Sequence, residues 1–114
     1  MTVERLALGA SGEALVAAWY EANGYTVLAR NWKVRAGELD LVVQRGRIVV
    51  FCEVKTRSTL DFGSPAEAVR EEKRRRLRHL AALWLDEAPR RPAEIRFDVA
   101  TVVDDAVEVI EGAF

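Results

Sequence analysis

Asp40, Glu53 and Lys55 are the residues whose types and spacing could carry hydrolytic chemistry. They lie in residues 37–57, GELDLVVQRGRIVVFCEVKTR. Leu39, Leu41 and Val43 alternate with Glu38, Asp40, Val42 and Gln44, and Ile48, Val50, Cys52 and Val54 alternate with Val49, Phe51, Glu53 and Lys55. That period of two on both sides of Arg45-Gly46 predicts a hairpin. A two-residue loop there pairs Gln44 with Arg47 and Asp40 with Phe51. Asp40 then shares a face with Phe51, Glu53 and Lys55, diagonal to Glu53 at about 7–8 Å. Carboxylates set among valine and phenylalanine need a partner, because an unpaired buried charge is costly. One partner is a divalent cation that takes oxygen ligands, Mg2+ or Mn2+. The other reading is an ion pair of Glu53 with Lys55 on a solvated strand face.

The elements that must position these residues follow from the rest of the pattern. Residues 8–23 read as a helix stopped by Asn23-Gly24. Leu15, Ala18, Trp19 and Ala22 form its apolar stripe, and Glu13, Val16, Ala17 and Tyr20 the neighbouring one. Glu13 is either compensation of the helix dipole or a third carboxylate aimed at the sheet. Residues 25–32 read as an edge strand, followed by Arg30, Lys33 and Arg35 around a loop. Residues 58–65 form a loop with turn residues. A second helix ends near Asp86 or Glu87; Ser64-Pro65-Ala66-Glu67 is a capping box for its start, while its regular stripe begins at Val69 and continues through Leu77, Leu80, Ala81 and Trp84. Lys73 falls on that stripe and must snorkel or meet an acid. Arg90-Arg91-Pro92 is a linker. Residues 95–103 read as a strand with Ile95, Phe97, Val99 and Val103 on one face, and Asp104-Asp105 turns it into residues 107–110. Asp98 is expected to make a structural hydrogen bond. The resulting order, α-β-β-β-α-β-β, predicts a mixed sheet flanked by helices.

The 114 residues are 50% hydrophobic and 31% charged, which suits one globular domain. No apolar run reaches the ~20 residues of a membrane span, and MTVERLALGA does not read as a signal peptide. One cysteine excludes an internal disulfide and a multi-cysteine zinc site, and Cys52 is expected to be a buried small side chain. The cytoplasm is the expected compartment. The net charge of −1 hides an uneven distribution. Arg70, Lys73, Arg74, Arg75, Arg76 and Arg78 cluster in the second helix, either as a solvated face or as a surface for nucleic-acid backbone. The only histidine, His79, is expected at the surface.

Glu13, the G-E-L-D of residues 37–40 and the E-V-K of residues 53–55 resemble the motif of the restriction-endonuclease-like nuclease superfamily. Within it the chain resembles the YraN-like family, which is similar to archaeal Holliday-junction resolvases. The resemblance runs through GEALVAAWYEANGYTVLARNW, GELDLVV, VVFCEVKTR, FGSPAEAV, the Lys73–Leu77 segment and RFDVATV. It implies a single nuclease domain over residues 1–114, with an αβββαβ core, that hydrolyses phosphodiester bonds of DNA, including branched DNA. Implied metal ligands are Asp40, Glu53, the Val54 carbonyl and Glu13. Lys55 would orient a water or stabilise charge on the phosphate. Arg57, Lys73, Arg74, Arg75 and Arg78 would hold nucleic-acid phosphates. A homodimer is a further expectation, with Val107, Val109, Ile110 and Phe114 either in its contact or closing the core. The rival readings are a nucleic-acid-binding module that does not cut, and a protein-interaction domain.

Overall fold

The chain alternates helix and strand in the expected sequence: α1 (Val3–Ala22), β1 (Thr26–Val34), β2 (Gly37–Arg45), β3 (Ile48–Arg57), α2 (Glu71–Glu87), β4 (Glu94–Val103) and β5 (Ala106–Ile110). The structure is a computed structural model that describes residues 3–57 and 70–114, with side chains from residue 12 onward. The five strands form one mixed sheet in the order β1-β2-β3-β4-β5. β3 runs antiparallel to β2 and parallel to β4. Parallel neighbours need a crossover rather than a tight turn, and α2 lies within it.

The two helices cover opposite faces. Val16, Ala17 and Tyr20 of α1 pack on Leu41, Val43, Val50, Cys52, Ala100 and Val102. Leu77, Leu80 and Ala81 of α2 pack on Leu39, Val42, Val49, Phe51, Phe97 and Val99. β3 sits centrally and is buried from Val49 through Glu53. Val107 and Val109 close the α1-side core, and Phe114 closes the α2-side core by stacking on Phe97.

The expected elements need adjusting in several places. Helix α1 begins at Val3 rather than near residue 8. Its buried stripe is Val16, Ala17 and Tyr20, whereas Ala18 and Ala22 are exposed. The Tyr20 hydroxyl selects that face, because it donates to the buried Asp98 carboxylate at 2.6 Å. Asn23-Gly24 stops the helix as expected. The Tyr25 N–H returns to the Tyr20 carbonyl and the Gly24 N–H to that of Glu21, with Gly24 at φ +86. This is the Schellman arrangement, and Tyr25 meets Tyr20 edge-on across it. The capping box at Ser64 and the stripe position Val69 lie outside the described residues. Within β4, Phe97 and Val99 share the α2 face, but Ile95 is exposed beside the open cleft it forms with Leu85 and Pro92.

The hairpin register differs from expectation by two residues. The turn is Gly46-Arg47, closed by Arg45↔Ile48, and the ladder runs to Leu41↔Cys52. Gly46, at φ +59, takes the first central position, where one glycine satisfies a type II′ turn. The expected loop would have placed Arg45 there instead. An even displacement leaves every side chain on the same face.

Candidate active site

β2 does not keep its alternation through Asp40. Leu41 packs on the α1 side and Val42 on the α2 side, yet Leu39 also packs on the α2 side. β1 breaks in parallel: Ala29 and Trp32 both pack on the α2 side, around Asn31 at φ +49. The regular alternation read from the sequence is therefore interrupted beside Asp40. The β2–β3 ladder reaches no further than Leu41↔Cys52. There the Val54 N–H donates to Asp40 Oδ2 at 2.9 Å, so a side chain takes the place of a strand carbonyl.

Asp40 is half-buried, and its carboxyl is pushed up to about 6. Burial is the main cause and the neighbouring Glu53 charge is next; the Val54 N–H opposes them, and Glu13 and Glu38 add to the rise. Glu13 thus reaches Asp40 electrostatically from α1. Gly12 makes this approach possible, because a Cβ there would run into Thr56 Oγ1 of β3.

Glu53 comes from the α2-facing side of β3 and is buried. Two ammonium groups compensate it: Lys73 Nζ at 2.8 Å and Lys55 Nζ at 3.6 Å. Lys73 thereby meets an acid, the second of the two outcomes its place on the apolar stripe allowed. The ammonium groups do not share the carboxylate equally. Contact with Lys73 and burial pull Lys55 down. Burial also opposes charge on Lys73, but its bond to Glu53, its contact with Lys55 and the charges of Glu53 and Asp40 outweigh that.

Asp40, Glu53, Lys55 and Lys73 are thus brought together, with Glu13 acting on Asp40 from the other side of the sheet. Among the described residues, no three acid, histidine or cysteine side chains converge into a ready-made metal cage. The donor set still suits a hard cation: two neighbouring carboxylates, one of them raised to about 6 by burial and by the other's charge, gain from a shared positive charge.

The other expected contact residues lie elsewhere. Arg75 and Arg78 are exposed on α2; Arg75 pairs weakly with Glu71 at 3.7 Å, and Arg78 lies over the Phe97 and Phe114 rings. Arg74 is half-buried over Phe114, and Arg57 is half-buried at the end of β3. His79 is exposed. Asp98 fulfils its structural expectation fully: it accepts from Tyr20, twice from Arg96, and from the Gly112 N–H. The sequence reading did not anticipate Arg96 as its partner. The signal was the i, i+2 spacing of Arg96 and Asp98, which sets both on one strand face.

A sheet with helices on both faces and a cluster of acids and lysines at its centre defines an α/β protein with a charged site. The chain belongs to the family described as "Uncharacterised protein family UPF0102", whose model matches residues 12–102. This is the YraN-like family of the sequence resemblance. A UPF0102 protein of Frankia alni is 50% identical over 113 residues, 95% of this chain and 94% of its own. One of Beutenbergia cavernae is 52% identical over 97 residues, covering 85% and 82% of the two chains. Another, of Mycolicibacterium vanbaalenii, is 50% identical over 101 residues, covering 89% and 84%. No helix among the described residues is long and apolar enough to cross a membrane.

Proposed function

We propose that the chain is a metal-dependent endonuclease with a restriction-endonuclease-like core, hydrolysing phosphodiester bonds of DNA, branched DNA among them. The observation that carries this reading is the meeting of Asp40 and Glu53 beside two lysines, with Asp40 raised to about 6 by burial and by Glu53. Asp40, Glu53 and the Val54 carbonyl would hold Mg2+ or Mn2+, with Glu13 completing the set. A bound ion would supply Lewis-acid polarisation of the phosphate and acidification of a water. In the hydrolysis, a water oxygen bonds to phosphorus, the P–O bond to one sugar breaks, and the departing oxygen gains a proton. Lys55 contributes a compact positive charge beside the phosphate oxygens. Lys73 orients Glu53 until phosphate arrives. Arg74, Arg75, Arg78 and Arg57 meet backbone phosphates without reading sequence.

The test is a cleavage screen over linear and branched DNA with Mg2+ and Mn2+, comparing the wild type with Asp40→Asn. Metal-dependent cleavage lost in the variant supports the reading; its absence on all substrates sinks it. One observation favours a second reading: Glu53 is already neutralised by ammonium groups, so the cluster is electrostatically complete as a binding surface. That module would bind DNA without cutting it. Changing Arg74, Arg75 and Arg78 to Ser should then lower the slope of log affinity against log salt by ~0.9 per lost phosphate contact on duplex DNA.

A further inference from the structure

A broad hollow among the described residues lies away from the acids. It encloses about 790 Å³ where β1, the β2–β3 turn and the segment after α2 meet. Leu28, Val49 and Trp84 give it apolar walls, Arg47, Arg90 and Arg91 stand around it, and among the described residues no acid lines it. All three arginines are exposed, and none takes part in an ion pair among the described residues. Leu28 is 40% exposed, at the irregularity in β1 pairing between Val27 and Ala29. Pro89 and Pro92 flank Arg90-Arg91 and narrow the backbone freedom of this segment, so both arginines stay beside the hollow.

We propose that this hollow binds a short stretch of single-stranded nucleic acid. Its phosphates lie on Arg47, Arg90 and Arg91, and an unstacked base lies against Trp84 and Leu28. The inference rests on the nucleic-acid reading above and adds to it a path for the strand. Three guanidinium groups line the hollow and no carboxylate among the lining residues offsets them, so an anion entering it meets positive charge alone. An apolar wall gains nothing from duplex phosphates, whereas the face of a free base buries against it. An acidic peptide would match the charge, but a tryptophan beside guanidinium groups is the combination that holds stacked bases. The hollow and the acids share α2. Lys73 reaches Glu53 near one end, and Trp84 lies about 16 Å further along the axis at ~1.5 Å per residue. A strand seated in the hollow therefore runs on the α2 side of the sheet, where Glu53 also faces.

The experiment is fluorescence anisotropy of a labelled single-stranded oligonucleotide at several salt concentrations, without divalent metal. It compares the full wild-type chain, the triple variant R47S/R90S/R91S and the single variant L28S, with melting curves establishing that each is folded. The triple variant should lower the salt slope by about 2, at ~0.7 per lost phosphate contact on single strands. L28S should weaken binding several-fold and leave the slope unchanged. If the wild type binds and the triple variant matches it in affinity and slope, the hollow is not the site and the nucleic-acid reading survives. If the wild type binds no oligonucleotide at any salt, both fail together. A labelled polyglutamate peptide that binds the wild type and is lost in the triple variant, with oligonucleotide binding intact, would overturn the proposal in favour of an acidic peptide.

Discussion

Replacing Asp40 with Asn should stabilise the protein at neutral pH and do nothing at pH 4. In the folded chain this carboxyl is raised from its ordinary value near 3.8 to about 6, first by burial and then by Glu53. At ~1.36 kcal/mol per pH unit, that is roughly 3 kcal/mol. Partial exposure halves it to about 1.5 kcal/mol. The folded state holds this proton more tightly than the unfolded state. Asp40's contribution is therefore fully present below about pH 4 and is lost as pH rises through about 6. Asn keeps an oxygen for the Val54 N–H and carries no charge, so it removes the penalty and retains the bond. Without divalent metal, Asp40→Asn should unfold about 6 °C above the wild type at pH 7.5, taking ~4 °C per kcal/mol for a domain of this size. The difference should close towards pH 4. Thermal melts followed by circular dichroism at four pH values measure both. A variant less stable than the wild type at pH 7.5, or an offset that ignores pH, would refute the reasoning. If the proposed cation binds, Mg2+ at 100 times its dissociation constant should stabilise the wild type by about 2.7 kcal/mol, and the variant by much less.

Lys73→Met should cost about 1–2 kcal/mol in urea unfolding, because it leaves the buried Glu53 with only the longer contact to Lys55. Combining it with Glu53→Gln should recover part of that loss. Tyr20→Phe should cost about 1–2 kcal/mol by the same measurement, since it takes one donor from a fully buried Asp98. Gly12→Ala should destabilise by pushing α1 against Thr56, and adding Thr56→Ala should restore most of the loss. If Gly12→Ala melts like the wild type, α1 does not approach β3 as closely as described.

Much of the architecture was legible because its signals are local. The alternation of residues 37–57 marked two strands, Asn23-Gly24 marked a helix end, and Asp104-Asp105 marked a turn, where both residues take positive φ. The register was harder. Whether Gly46 stands first or second in a two-residue turn depends on backbone twist, which residue types alone leave open. The break at Asp40 was not legible, because it needs Asn31 on β1 to break with it, and cross-strand coincidences leave no periodic trace. Lys73 was a half-read signal: a lysine on an apolar stripe announces a partner, but only the packing of α2 on β3 identifies Glu53. On α1, Leu15 and Trp19 of the expected stripe pack at the margin of the core and Ala18 and Ala22 do not; Val16, Ala17 and Tyr20 lie deeper, where the tyrosine hydroxyl meets Asp98 across 78 residues of chain, a contact with no local signal.

The substitution of the Asp40 carboxylate for a strand carbonyl at Val54 has a spectroscopic consequence. An amide hydrogen bonded to a carboxylate resonates according to that group's charge. The Val54 ¹H–¹⁵N signal should move along a titration curve centred near pH 6, while signals deeper in the β2–β3 ladder, such as Val50, stay still. One backbone resonance would then report separately on protonation, on cation capture and on the approach of a phosphate, with no label attached to the site.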